Sequence, residues 1–251
     1  MSLKLLYGFH AVATRLRAAP QSVRELLIDA SRHDARMRQL LVRAEQAGVA
    51  AQSVDSARLD ALVADRRHQG VVARVEALAQ PTTLDAVLDN APGTPLLLGL
   101  DGVTDPHNLG AILRSADAAG VHAVFAPKDR AVGLTPVVAK VASGAADTVP
   151  YLMVTNMARA LAGLRERGVQ VVGAAGEVDA SLYACDLREP TALVLGAEGS
   201  GLRRLVRENC DRLARIPMQG SVDSLNVSVA AGVFLFEAVR QRGADAGASP
   251  A

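Results

Sequence analysis

Cysteine, tryptophan and lysine are what this chain nearly or wholly lacks. Its two cysteines, Cys185 and Cys210, stand 25 positions apart with no second pair. That spacing is neither a disulfide framework nor a zinc-ligand pattern, and it predicts two free thiols in a reducing cytoplasm. There is no Trp, and only three Tyr and four Phe. A single-strand binder that stacks bases on an aromatic platform is therefore not expected. Apolar runs are short, as at Leu96–Leu98, far below the roughly 20 residues needed to cross a bilayer. Lys4 is followed by no apolar segment with a small-residue cleavage site, so no secretory signal is expected. What is present is a chain of 251 residues, half of them apolar and 21% charged. That mix describes a soluble globular protein and excludes a disordered or collagen-like one. The length suits one large domain or two small ones.

The net charge of +1 hides an asymmetry. Residues 1–80 hold Lys4 and eleven arginines against eight acids, a balance of +4, and the remainder sums to −3. A basic first third on a slightly acidic body suggests a polyanion-binding module. Only Lys4, Lys128 and Lys140 are lysines. The remaining cations are arginines, which suit bidentate phosphate contacts, although a GC-rich genome produces the same bias.

Periodicity places a small α/β unit first: a helix over 10–18, a strand Val23–Ile28, a helix His33–Ala47, a strand Val49–Val54, a helix Ala57–Ala64 and a strand Gly70–Val75. Residues 1–78 form this first domain. The stretch 79–95, with Pro81, Pro92, Gly93 and Pro95, reads as a linker in which Leu84–Leu88 makes one helical turn or two. From 96 to 242 strands alternate with helices: Leu96–Leu100, Ala123–Ala126, Val149–Val154, Val169–Ala174, Ala192–Leu195 and Leu213–Ile216 as strands, Asn108–Ala119, Pro136–Ala142, Asn156–Arg167, Leu202–Cys210 and Ser228–Arg242 as helices. This alternation predicts a parallel sheet covered on both faces. The tail, 243–251, is small and polar and reads as disordered.

Parallel sheets bind ligands beyond the carboxyl ends of their strands. Three loops fall there: Asp101–Gly110, Gly196–Gly201 and Pro217–Asn226. Common cofactor patterns fail on them. Gly196, Gly199 and Gly201 run G-x-x-G-x-G, not the dinucleotide order; no lysine follows a glycine as a P-loop requires; Ser200 lacks the hydrolase-elbow spacing. The five histidines are scattered, His107 reads as a loop bystander, and no metal site is predicted. What remains is glycine that lets a ligand approach the backbone, with Leu195, Ile216 and Leu225 able to wall an adenine. Each polar candidate has a structural alternative. Arg114 is equally a solvated helix charge, Glu198 a cap for the helix near Leu202, and Ser224 or Asn226 a cap for the last helix. On a helix Asn108 and Arg114 diverge by about 120°, so they share a site only if Asn108 is the cap and Arg114 reaches back. The residues alone stop at a nucleotide-like ligand in an α/β domain.

The segments Asp105–Gly120, Leu195–Leu202, and Ile216-Pro-Met with Ser224–Ala230 together resemble the three ordered motifs of the SpoU (TrmH) branch of the SPOUT RNA methyltransferases. Tyr7–Val12 and His68–Ala73 resemble that branch's substrate-binding domain, a small α/β RNA-binding unit. Within the branch the combination is most similar to the enzymes that methylate a guanosine 2'-hydroxyl in bacterial 23S rRNA. The resemblance implies a parallel-sheet domain with a C-terminal trefoil knot, S-adenosylmethionine as methyl donor without a metal, and 23S rRNA or a ribosomal precursor as partner. It also implies a homodimer through the knot region, a cytoplasmic location and no membrane. It assigns Arg114, Asn108, Glu198, Ser224 and Asn226 to catalysis and orientation. It assigns Gly196, Ile216, Leu225, Gly199 and Asn226 to the cofactor. A tRNA 2'-O-methyltransferase of the same branch and a non-catalytic RNA-binding or ribosome-assembly protein are the alternatives. The last helix, with Val229, Val233, Phe234 and Phe236, has apolar surface enough for a core or an interface.

Overall fold

The computed structural model describes residues 3–63, 68–76 and 80–246, in two bodies that divide between Gln80 and Pro81. The first contains β1 (Leu3–Tyr7), α1 (Phe9–Ala18), β2 (Val23–Asp29), α2 (Ala35–Gln46), β3 (Ala51–Val54), α3 (Ser56–Leu62) and β4 (Val71–Glu76). The sheet order is β1-β4-β2-β3. β4 is antiparallel to both its neighbours, and β3 runs parallel to β2. One face buries Leu26, Ile28, Val71, Ala73 and Val75 under the apolar sides of α1 and α2, while Leu27 and Val72 pack with Leu59 of α3 on the other. The sequence pattern places no strand before residue 10. β1 is an edge strand with Leu3, Leu5 and Tyr7 exposed, so its apolar run does not alternate as a half-buried strand should. The end of the helix expected over Ala57–Ala64 lies outside the described residues.

The two N-terminal motifs meet in this body. Gly8 N donates to Val71 O at 3.0 Å and Phe9 N to Gln69 Oε1 at 3.4 Å. The Arg32 guanidinium stacks 4.7 Å from the Phe9 ring centroid. His68 is buried; its Nδ1 accepts from Gly70 N at 3.0 Å, which leaves Nε2–H to donate to Asp60 Oδ1 at 3.0 Å. His68 is thus a satisfied structural residue.

The second body contains α4 (Leu84–Asn90), β5 (Leu96–Asp101), α5 (Pro106–Ala118), β6 (Ala123–Pro127), α6 (Pro136–Ala142), α7 (Ala145–Thr148), β7 (Tyr151–Val154), α8 (Met157–Glu166), β8 (Gln170–Ala174), β9 (Thr191–Gly196), α9 (Arg204–Glu208), β10 (Arg212–Ala214) and α10 (Val227–Ala246). All strands are parallel, in the order β10-β8-β9-β5-β6-β7. β5 alternates between two cores. Leu96, Leu98 and Leu100 pack with α5 and α10, and Leu97 with Phe125 and α8. A strand buried on both faces reads as a continuous apolar run, as this one does.

Two expectations change. The stretch read as linker is not all linker: α4 inserts Val87 into the core beside Leu97 and Phe125, and Arg167 pairs with Asp85 and Asp89 on it. Nor does the tail begin at 243, because α10 continues to Ala246; the residues beyond lie outside those described. The two cysteines are free. Burial raises both thiols, and for Cys210 burial together with the Asp211 charge pushes it up to about 11, so neither is poised to react.

Candidate active site

Three strands deliver the site. β5 ends at Asp101, and α5 begins five residues later under an Asp105 cap, whose carboxylate accepts from His107 N at 3.0 Å, with Pro106 in the first turn. Asn108 therefore lies inside the first turn and is not the cap. β9 ends at Gly196, where the chain turns so tightly that Gly201 N donates back to Ala197 O at 2.9 Å. A Cβ on Gly196 would stand 2.0 Å from the Gly201 carbonyl carbon, so no side chain fits there. The glycine exists for its own loop as well as for any ligand. The exit of that loop is tied down by buried Asp101, which accepts from Arg203 N at 2.9 Å and Arg203 Nε at 2.7 Å.

Asn108, Glu198 and Asn226 come together. Asn226 Nδ2 donates to Glu198 Oε1 at 2.7 Å and to Asn108 Oδ1 at 2.9 Å, and Asn108 Nδ2 reaches the same Glu198 oxygen at 3.4 Å. Glu198 Oε1 also accepts from Val227 N at 3.1 Å, so it helps cap α10 and not the helix near Leu202. Asn226 Oδ1 accepts from Ser228 N at 2.9 Å as the side-chain cap of α10. The capping and site readings of Asn226 hold at once. Ser224 caps no helix among the described residues.

Beside this cluster lies a cavity of about 510 Å³ beyond the ends of β8, β9 and β10. Gly196, Glu198, Gly199, Ile216, Ser224 and Leu225 all line it. Leu195 and Phe234 add apolar wall, while Glu177, Arg207 and Asp223 add charge. Arg207 and Glu177 pair with one another. Asn108, Asn226 and Arg114 are not part of the lining. Arg114 is exposed on α5 and makes no ion pair or side-chain hydrogen bond among the described residues. The sequence reading missed Asp101–Arg203 and Glu177–Arg207. Asp101, a carboxylate closing an apolar strand, was a visible signal; the arginines carried none. Among the described residues no three or more His, Cys, Asp or Glu side chains cluster to hold a metal ion, and no helix is long and apolar enough to cross a membrane.

The model of the SpoU rRNA methylase family matches residues 95–236, more than half the chain. The chain belongs to this family. A second family model, described as RNA 2'-O ribose methyltransferase substrate binding, matches residues 5–81. The chain is 61% identical over 239 residues to the 23S rRNA (guanosine-2'-O-)-methyltransferase RlmB of Ralstonia nicotianae, covering 95% of this chain and 96% of that protein. Among solved structures it resembles the SpoU methyltransferase AviRb from Streptomyces viridochromogenes in complex with AdoMet, at TM-score 0.69 and 29% identity, over 96% of this chain and 91% of that one. It also resembles the A. aeolicus TrmH/SpoU tRNA modifying enzyme, at TM-score 0.56 and 32% identity, but there over 61% of this chain and 78% of the other.

Proposed function

We propose that this family member transfers the methyl group of S-adenosylmethionine to the ribose 2'-hydroxyl of a guanosine in 23S rRNA. The observation that carries the reading is the meeting of Asn108, Glu198 and Asn226, one from each of three separated motifs, beside a ligand-sized cavity. Similarity to a 23S rRNA enzyme along nearly the whole chain supports the substrate. The tRNA enzyme's match leaves more than a third of the chain unaccounted for.

The cavity suits the cofactor. Its volume falls within the 300–1,000 Å³ usual for small-molecule sites. Leu195, Ile216, Leu225 and Phe234 offer an apolar slot for adenine, and Glu198 and Asp223 set carboxylates on a lining that also holds Arg215 and the Arg207–Glu177 pair. Gly196, Gly199, Ile216 and Leu225 would contact the cofactor, with Asn226 beside them. When bound, the cofactor supplies a methyl made reactive by its sulfonium. The protein's task is to align the 2'-oxygen on the side away from sulfur and ease loss of its proton. Arg114 suits stabilisation of the incipient alkoxide and an adjacent phosphate. Its guanidinium does not ordinarily deprotonate, and no partner among the described residues engages its charge. Asn108, Glu198, Ser224 and Asn226 orient the hydroxyl and the cofactor; Arg114, about 120° round α5 from Asn108, is not held by them within one chain.

This reading carries the family's C-terminal trefoil knot. It also carries a homodimer. α10 buries Ala231, Phe234 and Leu235 in the core yet leaves Val229 and Phe236 about half exposed, seven residues apart on one line. That stripe supports a protein interface through the knot region. The work is cytoplasmic, on rRNA or a ribosomal precursor, and calls on no metal or membrane.

The test is methyl transfer from labelled S-adenosylmethionine to protein-free 23S rRNA and to tRNA lacking the modification, with the product mapped. A single 2'-O-methylguanosine in 23S rRNA, abolished by Arg114→Ala, is expected. Label in tRNA alone overturns the substrate. Absence of cofactor binding overturns the activity.

A further inference from the structure

We propose that the exposed flanks of α2 are the surface by which the N-terminal body grips the phosphate backbone of its RNA; the inference rests on the methyltransferase reading for the identity of the polyanion. α2 buries Met37, Leu40 and Ala44 and presents Arg36, Arg38 and Arg43 to solvent. None of the three is in an ion pair among the described residues; Arg38 gives one N–H to the His33 carbonyl at 3.0 Å. Glu45 is the only acid on the helix. The arginines on the strands of this body are treated differently. Arg24 pairs with Glu76 at 2.8 Å and Arg74 with Glu25 at 3.3 Å, both on the strands. α3 carries a single arginine, Arg58, and its Asp60 is taken by His68. Among the described residues α2 thus holds three exposed arginines outside any ion pair, against one each, Arg17 and Arg58, on α1 and α3.

Helix stability does not account for the placement. A helix N-terminus carries partial positive charge and favours acids in its first turn. The first turn of α2 has none; Arg36 and Arg38 are its second and fourth residues. Only Arg43, in the last turn, complements the dipole. By helical geometry Arg36 and Arg43 lie within about 20° of each other and about 10 Å apart along the axis, with Arg38 about 150° round on the other flank. Charges spread this way suit successive phosphates of a chain better than one compact anion. Each arginine fork matches phosphate geometry. Val42 is the one large apolar residue exposed on the helix, too little to enter a lipid surface.

The experiment uses the full chain with Arg36→Gln, Arg38→Gln and Arg43→Gln combined, since glutamine is a comparable helix former. Affinity for a 23S rRNA fragment is measured from about 50 to 300 mM salt. The slope of log K against log salt should fall by about 2 to 3, and affinity should drop on the order of 10²-fold near 0.15 M salt. KM for RNA should rise, with kcat at saturating RNA and cofactor affinity unchanged. Arg24→Gln with Arg74→Gln removes cations from the strands and should leave the slope as it was. Arg36→Glu should weaken RNA binding while raising Tm slightly, opposite to what a structural role for Arg36 predicts. A triple-variant slope within about 0.5 of the parent, or an equal loss in the strand control, overturns the proposal. Binding is read apart from methyl transfer. A protein that binds RNA through α2 but methylates nothing would overturn the activity and support this surface.

Discussion

The Asn108–Glu198–Asn226 cluster and Arg114, which stands six residues along α5 from Asn108, are built on opposite terms. The cluster satisfies itself. One Glu198 oxygen gathers three donors, and Asn226 caps the helix that follows it. Arg114 is exposed and engaged by nothing among the described residues. The first arrangement holds loops in register before any ligand arrives. The second leaves a charge available to whatever docks. Substitutions in the cluster should therefore move stability and activity together, and substitutions at Arg114 should move activity alone.

Arg114→Ala gives the largest expected effect. Removing one preorganised charge from a transition state typically costs 10²–10³ in kcat. Unfolding free energy should change by less than about 0.5 kcal/mol, as for other exposed sites, and the cofactor Kd should hold. Single-turnover assays with calorimetry and urea unfolding check this, and a matching loss of stability would erase the distinction. Arg114→Lys tests the planar guanidinium, and full turnover would show that any cation suffices. Next comes Gly196→Ala. Its Cβ would sit 2.0 Å from a backbone carbon that cannot swing aside. We expect a loss of about 3 kcal/mol or more in stability, with cofactor binding lost alongside. Gly201→Ala separates close approach from dihedral strain. It has open space around its Cβ but a φ of +62°, so about 1–2 kcal/mol is expected. Glu198→Ala strips the acceptor from Asn226 Nδ2 and Val227 N. Because Glu198 is exposed, water offsets part of the loss, leaving about 1–2 kcal/mol in stability with a parallel fall in turnover. Unchanged Tm with lost activity would recast Glu198 as a group like Arg114.

How much of this was legible follows the range of the signal. β5 and α5 were readable because an apolar run ending at Asp101 and a Pro-led amphipathic helix are local patterns. α4 was readable only as a turn or two of helix inside a linker, because Pro81, Pro92, Gly93 and Pro95 surround it, while the packing of Leu84, Val87 and Leu88 acquires meaning only against β5 and β6. The site divides the same way. Asn108, Glu198 and Asn226 were each readable as caps or motif residues, yet their meeting spans 90 positions in one direction and 28 in the other. Nothing local pairs Asp101 with Arg203, 102 residues on. Gly196 was expected to admit a ligand, and the loop that folds back on it was invisible until Gly201 was placed.

Glu237 tests how far the cluster's order extends, since it lies on α10, the helix that Asn226 caps. It is buried, and its carboxylate accepts from Arg240 Nε at 2.9 Å, Arg240 Nη2 at 2.8 Å and Gln241 Nε2 at 2.8 Å. The Arg240 bonds, aided by Gln241, hold its carboxyl below the usual value near 4.5. A carboxylate depressed on folding contributes stability that is complete above its unfolded pKa and is lost as pH falls through the folded one. The contribution is therefore present at pH 7 and disappears at acidities below 4.5. Glu237→Gln should cost about 1 kcal/mol at neutral pH. The gap from the parent should narrow in urea titrations carried below that range. Methyl transfer at pH 7 should be unchanged, because the Glu198 and Asn108 contacts fix the start of α10 locally. If turnover falls with Glu237, the cluster takes its geometry from the packing of the whole helix, and the contrast with Arg114 becomes one between a helix and a side chain.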